Sequence, residues 1–274
     1  EQRLGVYFRA EEELIGDSEN FTLDKLALYK INHRLLSCSD EVTDDVFAQL
    51  KVKGILPRAA FGQICESKVR SEIAEFRQTV SDYLQQEPDS ERIELALQTS
   101  QGEILLYGNI APLFAQKQRV VWRAGAMKDG YLIENWIYYL VQAAADSEAS
   151  TPVFYAKGRN NRVEKYRFKT VEKATALAQL TVYTESYLRS YQQLQLVPTE
   201  DIEGYLKAIK NDAETEENTC LDRLYKIAFG DQYTAADIYW QRVWQQTTQI
   251  DTAEINRITQ GWFETMAESL LKEK

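Results

Sequence analysis

The sequence predicts a mixed α/β fold, a mixed sheet flanked by helices, with helical additions at its N-terminal and C-terminal ends. Three observations predict it. Ile93, Leu95 and Leu97 alternate with polar residues, and Ile104, Leu106 and Ile110 resume that alternation after Ser100-Gln101-Gly102; a period of two belongs to strands. Val120-Val121-Trp122 is a short apolar run of the kind a buried strand carries. Leu132, Ile133, Trp136, Ile137, Leu140 and Val141 then share one broad face of a helix predicted over 127–145.

In chain order, a helix is predicted after Thr22 as N-cap, and a short one over 42–53 ends at Gly54. Pro57 opens a longer helix running to about residue 86. Strands follow over 90–99 and from Gly102, with a Gly108-Asn109 turn before a further apolar segment and the strand at 120–122. The helix over 127–145 leads to a hairpin, with Val153, Phe154 and Tyr155 entering and Val163, Tyr166 and Phe168 leaving. A helix over 170–193 presents Val171, Ala174, Leu177, Ala178, Val182 and Tyr187 or Leu188 as its apolar side. A short strand at 194–197 precedes a helical region that ends in a helix over 252–272. The organisation expected is one domain over 1–274: a helical lead-in at 1–88, a sheet core at 89–198 and a helical part at 199–274.

Composition narrows the function. The 274 residues suffice for a sizeable core, and 44% hydrophobic with 27% charged residues is an ordinary globular balance. The net charge of -10 disfavours a free-standing DNA-binding domain, so any DNA contact must be local. Cys38, Cys65 and Cys220 form no CxxC pair, which argues against zinc and for a reduced, cytoplasmic setting. No stretch approaches the ~20 apolar residues of a membrane span. His33, the single histidine, has no cysteine or triad partner nearby and reads as a polar helix position. The chain opens without Met, at EQRLGVYF, as expected of a piece of something longer.

The order of these elements resembles the PD-(D/E)XK nuclease core, in which an Asp, a second acid and a Lys on successive strands hold Mg²⁺. At the corresponding positions this sequence has Ala111, Trp122 and Ala124. Mg²⁺ takes hard oxygen ligands, and these side chains supply none. The resemblance therefore implies a degenerate nuclease-like fold with no catalytic residue, metal or cofactor. A second likeness covers nearly the whole chain. RLGVYF at 3–8, FTLDKLALYKINHRLL at 21–36, LPRAAFGQI at 56–64, LYGNIAPLF at 106–114, VVWRAGAMKDGYLIENWIYYLVQAA at 120–144 and AFGDQYTAADIYWQRVW at 228–244 together resemble the C-terminal domain of the exodeoxyribonuclease V gamma subunit, RecC. That resemblance implies a non-catalytic part of a helicase–nuclease (RecBCD) that acts in DNA repair and recombination. It also implies partners in the beta and alpha subunits, RecB and RecD, and in DNA through the assembled complex.

Local candidates remain. Lys157, Arg159, Arg162, Lys165 and Arg167, with Lys169 and Lys173 beyond, make the hairpin the one basic feature, and Tyr155, Tyr166 and Phe168 interleave with them. Such a strip suits phosphate and unpaired bases, or equally protects a sheet edge. Trp240 and Trp244 lie one helical turn apart and read either as a partner anchor or as core. Glu66 and Glu72 read as a solvated helix face. Two alternatives stay open: an active Mg²⁺ nuclease with migrated ligands drawn from Glu103, Asp129 or Glu134, and a pure protein-interaction module.

Overall fold

The computed structural model describes residues 23–38, 40–146, 150–158, 162–215, 218–232, 235–246 and 250–273. The chain divides into two compact units, residues 1–75 and 76–274.

The first unit is helical among its described residues. Helix α1 (Lys25–Leu35) starts at Asp24, whose carboxylate accepts from the Ala27 N–H at 2.7 Å. That bond satisfies one orphan donor of the first turn; Thr22, the expected cap, lies outside the described residues. Helix α2 (Asp40–Val52) stops before Gly54, whose φ of 68° suits a residue just past a helix end. Helix α3 (Ala59–Leu84) follows Pro57. Glu66 pairs with Lys51 at 2.7 Å and with Arg70 at 2.8 Å, and Arg70 also reaches Asp44 and lies over the Phe47 ring. Glu72 lies 4.0 Å from Lys68. Both glutamates therefore have cationic partners on their own unit.

The second unit is built on one sheet. Its strands are β1 (Asp89–Thr99), β2 (Gly102–Phe114), β3 (Gln118–Arg123), β4 (Val153–Lys157), β5 (Val163–Phe168) and β6 (Leu270–Glu273), in the spatial order β1-β2-β3-β4-β5-β6. All neighbours are antiparallel except β3 and β4. A parallel pair needs a crossover, and α4 (Asp129–Ala145) supplies it. Helices α5 (Lys173–Arg189), α6 (Ile202–Thr215), α7 (Thr219–Phe229), α8 (Ile238–Gln246) and α9 (Thr252–Ser269) lie between β5 and β6 in the chain. The mixed sheet flanked by helices is thus the architecture of this unit.

The core sits under α4. Trp136, Tyr139, Leu140 and Ala144 are buried, and Trp136 meets Phe168 edge-on at 4.9 Å while Tyr139 stacks on the same ring at 6.0 Å. Phe154 closes the group at 5.2 Å from Phe168. The Tyr139 hydroxyl accepts from the Val171 N–H at 3.0 Å and donates to the Lys169 carbonyl at 3.2 Å, so the ring is buried with its polar end paired.

Four expectations about elements need correction. Gly108-Asn109 is no turn: both residues are inside β2, opposite Ile93 and Arg92, because β1 is long enough to pair through them. The irregularity falls later, where Asp89 to Glu91 on β1 spans Leu113 to Ile110 on β2 and Ala111-Pro112 bulges. Residues 194–197 are not a strand; the sheet is completed instead by Leu270–Glu273, which a helical period had absorbed into α9. The buried side of α5 is Ala176, Gln179, Leu180 and Ser186, while Val182 and Tyr187 are exposed. Polar residues face inward because α9 has partners for them: Gln179 donates to the carbonyls of Gly261 and Trp262 at 2.7 and 3.2 Å, and Ser186 Oγ accepts from Trp262 Nε1 at 3.1 Å.

Candidate functional site

Around Trp122 the chain gathers rings. Trp122 stands in β3 opposite Tyr155 of β4. Phe114 at the end of β2 lies 6.2 Å from Trp122, and Tyr83 from the last turn of α3 reaches Phe114, Trp122 and Tyr155 at 5.1, 6.4 and 6.4 Å. Burial, with Tyr83 alongside, pushes the Tyr155 phenol up to about 12, so it stays neutral through the physiological range. Ala111 is exposed at the β2 bulge and Ala124 is buried just past β3. None of the side chains of Ala111, Trp122 and Ala124 carries an oxygen that could hold a hard cation.

The migrated-ligand candidates do not converge. Glu103 accepts from Gln98 Nε2 at 2.7 Å near the β1–β2 turn. Asp129 begins α4 and accepts the Ile202 N–H at 3.0 Å, where burial pushes its carboxyl above the usual range. Its role is to pin the start of α6 to the start of α4. Asp129 and Glu134 line one cleft with Glu200 and Asp201, yet among the described residues no three His, Cys, Asp or Glu side chains are grouped to hold a metal ion.

The basic hairpin is resolved into two parts. Lys165 Nζ lies 3.0 Å and Arg167 Nη2 2.5 Å from the Glu273 carboxylate of β6. Those cations hold Glu273 below the usual carboxylate range. On the other face of β5, Glu164 takes the Tyr166 hydroxyl at 2.5 Å and Lys272 at 2.9 Å. Strand β5 is therefore not an edge, and its charges are matched by β6. Lys157 ends β4 and Arg162 is exposed before β5, whereas Arg159 lies outside the described residues. Gly158 sits against Glu164; a Cβ there would come within 2.5 Å of that side chain.

Trp240 is 9% exposed and belongs to the core, and Trp244 packs edge-on against Tyr225 and Phe229 at 5.6 and 5.8 Å. The exposed apolar surface of this helical region is carried by Ile238 and Tyr239 of α8 with Tyr225 and Phe229 of α7.

One feature escaped the sequence reading. Arg119 is 5% exposed, donates to Asn135 Oδ1, lies 4.3 Å over the Tyr138 ring and reaches the Ala111 carbonyl at 3.4 Å. Burial pushes its pKa down. Asn135 in turn donates to the Tyr131 carbonyl at 2.7 Å, and buried Gln142 donates to the Lys117 carbonyl at 2.6 Å. These polar links tie the β2–β3 connection to α4. The signal was Asn135 and Gln142 on the buried side of α4.

No described helix is long and apolar enough to cross a membrane. A family model described as the RecC C-terminal domain matches residues 1–210. The chain is 32% identical over 271 residues to the RecBCD enzyme subunit RecC of Haemophilus influenzae, across 96% of this chain and 23% of that protein. It is 25% identical over 261 residues to the RecBCD enzyme subunit RecC of Escherichia coli strain K12, across 90% of this chain and 22% of that protein. The chain spans less than a quarter of the length of these curated relatives.

Proposed function

The chain belongs to the RecC C-terminal domain family, and from that premise we propose that it is a nuclease-shaped scaffold without turnover. It serves a RecBCD-type helicase–nuclease in double-strand break repair and recombination, in the cytoplasm. The observation that carries this reading is the pairing of topology with lost ligands. A helix, an antiparallel meander β1-β2-β3, a crossover helix and a strand parallel to β3 is the element order of a PD-(D/E)XK core. The positions we assign to its ligands hold Ala111, Trp122 and Ala124, and Trp122 is packed among Tyr83, Phe114 and Tyr155. Aromatic packing there favours rigidity over ion binding.

The domain docks the RecB and RecD partner subunits, and the exposed Ile238, Tyr239, Tyr225 and Phe229 surface suits such docking. Its DNA-facing edge is the β4–β5 hairpin. Lys157 and Arg162 are the cations nearest the tip among the described residues. A second reading, an interaction module without DNA contact, draws on the pairing of Lys165 and Arg167 with Glu273.

Isothermal titration of Mg²⁺ and Mn²⁺, with a nuclease assay on single- and double-stranded DNA, tests the reading. No saturable binding and no cleavage is the expected result. Saturable Mn²⁺ binding with cleavage lost in Asp129→Asn or Glu134→Gln would replace the scaffold with an enzyme of unconventional site.

A further inference from the structure

Strand β6 supplies counter-charges to β5 through Glu273 and Lys272. Lys165 stands opposite Glu273, Tyr166 opposite Lys272, Arg167 opposite Leu271 and Phe168 opposite Leu270. Side chains alternate between sheet faces, so Glu273 shares a face with Lys165 and Arg167, and its carboxylate contacts both. Tyr155 pairs with Lys165 across β4 and so lies on that same face. Tyr155 itself is buried against Tyr83, so the face presents two partly exposed cations that would meet a single strand through its phosphates.

Glu273 occupies both cations. One carboxylate is shared between two cations, each more than a third exposed, so water and salt still reach the pairs. Arg167 Nε is buried with no hydrogen-bond acceptor among the described residues, so its guanidinium engages Glu273 while retaining an unused donor. A phosphate could displace the carboxylate here, because it offers the same bidentate geometry to the guanidinium.

We propose that β6 is an autoinhibitory counter-strand, in which Glu273 occupies Lys165 and Arg167 and so caps the affinity of the hairpin face for single-stranded DNA. This rests on the hairpin being the DNA-facing edge. A surface that guides a moving strand must release it at each step. A displaceable internal carboxylate keeps binding weak without removing the cations.

The test measures binding of a fluorescein-labelled oligothymidylate to the full chain by anisotropy over a salt series. It compares wild type with Glu273→Gln, with Lys165→Gln/Arg167→Gln, with all three changes together, and with Lys157→Gln/Arg162→Gln. Glu273→Gln is expected to tighten binding about tenfold near ~0.1 M salt. It should also steepen the slope of log K against log salt by about 1.4, two phosphate contacts at roughly 0.7 each. Adding Lys165→Gln/Arg167→Gln should abolish both gains. If Lys157→Gln/Arg162→Gln weakens binding while Glu273→Gln changes neither affinity nor slope, the counter-strand is overturned and the hairpin edge survives. If no variant binds at all, both fall. Unchanged thermal melting of Glu273→Gln, whose side chain is 37% exposed, keeps a folding defect from imitating either result.

Discussion

Asp212 offers the sharpest quantitative test of how the helical part is held. It lies in α6, and its carboxylate accepts the N–H groups of Thr219 and Cys220 at the start of α7, each at 2.8 Å. A helix start leaves its first donors without intrahelical acceptors, and here a neighbouring helix supplies them. Burial pushes this carboxyl up, but the hydrogen bonds from Cys220 and Thr219 outweigh it and hold its pKa low. Removing a capping side chain costs about 0.5–2 kcal/mol, and hydrogen bonds to a charged group contribute about 1.5–3 kcal/mol each. Because one carboxylate serves both donors, Asp212→Ala is expected near the shared part of those ranges, about 2 kcal/mol. For a unit of this size that lowers Tm by roughly 4–8 °C. Asp212→Asn keeps one acceptor oxygen and should lose about half as much. The pH dependence follows from the depressed pKa. The contribution is complete above the unfolded value near ~3.9 and is lost as pH falls through the lower folded value. The gap between wild type and Asp212→Ala should therefore be constant from neutrality to about pH 5 and shrink below ~3.9. Urea melts followed by tryptophan fluorescence would read it. A loss under ~0.5 kcal/mol for Asp212→Ala, or a gap indifferent to acid, would refute the reasoning.

Three further outcomes are expected. Trp136→Ala, at a fully buried position against Phe168 and Tyr139, should cost about 3–5 kcal/mol in chemical denaturation. Gln179→Leu removes the bonds from α5 to the Gly261 and Trp262 carbonyls, which keep their helical partners and, at Trp262, the Tyr183 hydroxyl; it should cost about 0.5–1.5 kcal/mol, with altered Trp262 emission as a local readout. Trp122→Glu places a carboxylate among Tyr83, Phe114 and Tyr155. It should destabilise by at least ~3 kcal/mol and yield no Mg²⁺-dependent cleavage in the nuclease assay.

Legibility followed the period of the hydrophobic pattern. The meander, α4 and the β4–β5 hairpin were readable because alternation and helical spacing are strong there, and because Gly102 marks a turn with φ of 114°. The buried side of α5 was unreadable because Gln179 and Ser186 are polar; only the Trp262 segment of α9 makes them interior. Strand β6 was hidden because Leu270 continues the apolar spacing of α9, and a four-residue strand is decided by its neighbour β5. At the candidate site, Ala111, Trp122 and Ala124 are legible as side chains without a metal-binding group. The ring cluster around Trp122 needed Tyr83 from a helix remote in sequence, which no local pattern announces. Glu273 was invisible for the same reason: its partners Lys165 and Arg167 lie across the whole helical block.

The pairing of Phe168 with Leu270 makes residues 169–269 a closed loop in polymer terms. Tying the ends of a free loop that long costs about 4 kcal/mol beyond a constant, from (3/2)RT ln n. A four-residue strand could not sustain that alone. It does not have to, since Phe263 and Met266 of α9 are already buried in the core and bring Ser269 to β5, where its carbonyl accepts the Lys169 N–H at 2.8 Å. Closure is thus completed one residue before β6 begins. Opening β6 releases only its own few residues, with no loop entropy regained, so the strand can fray and re-pair as a local event while the helical block stays docked.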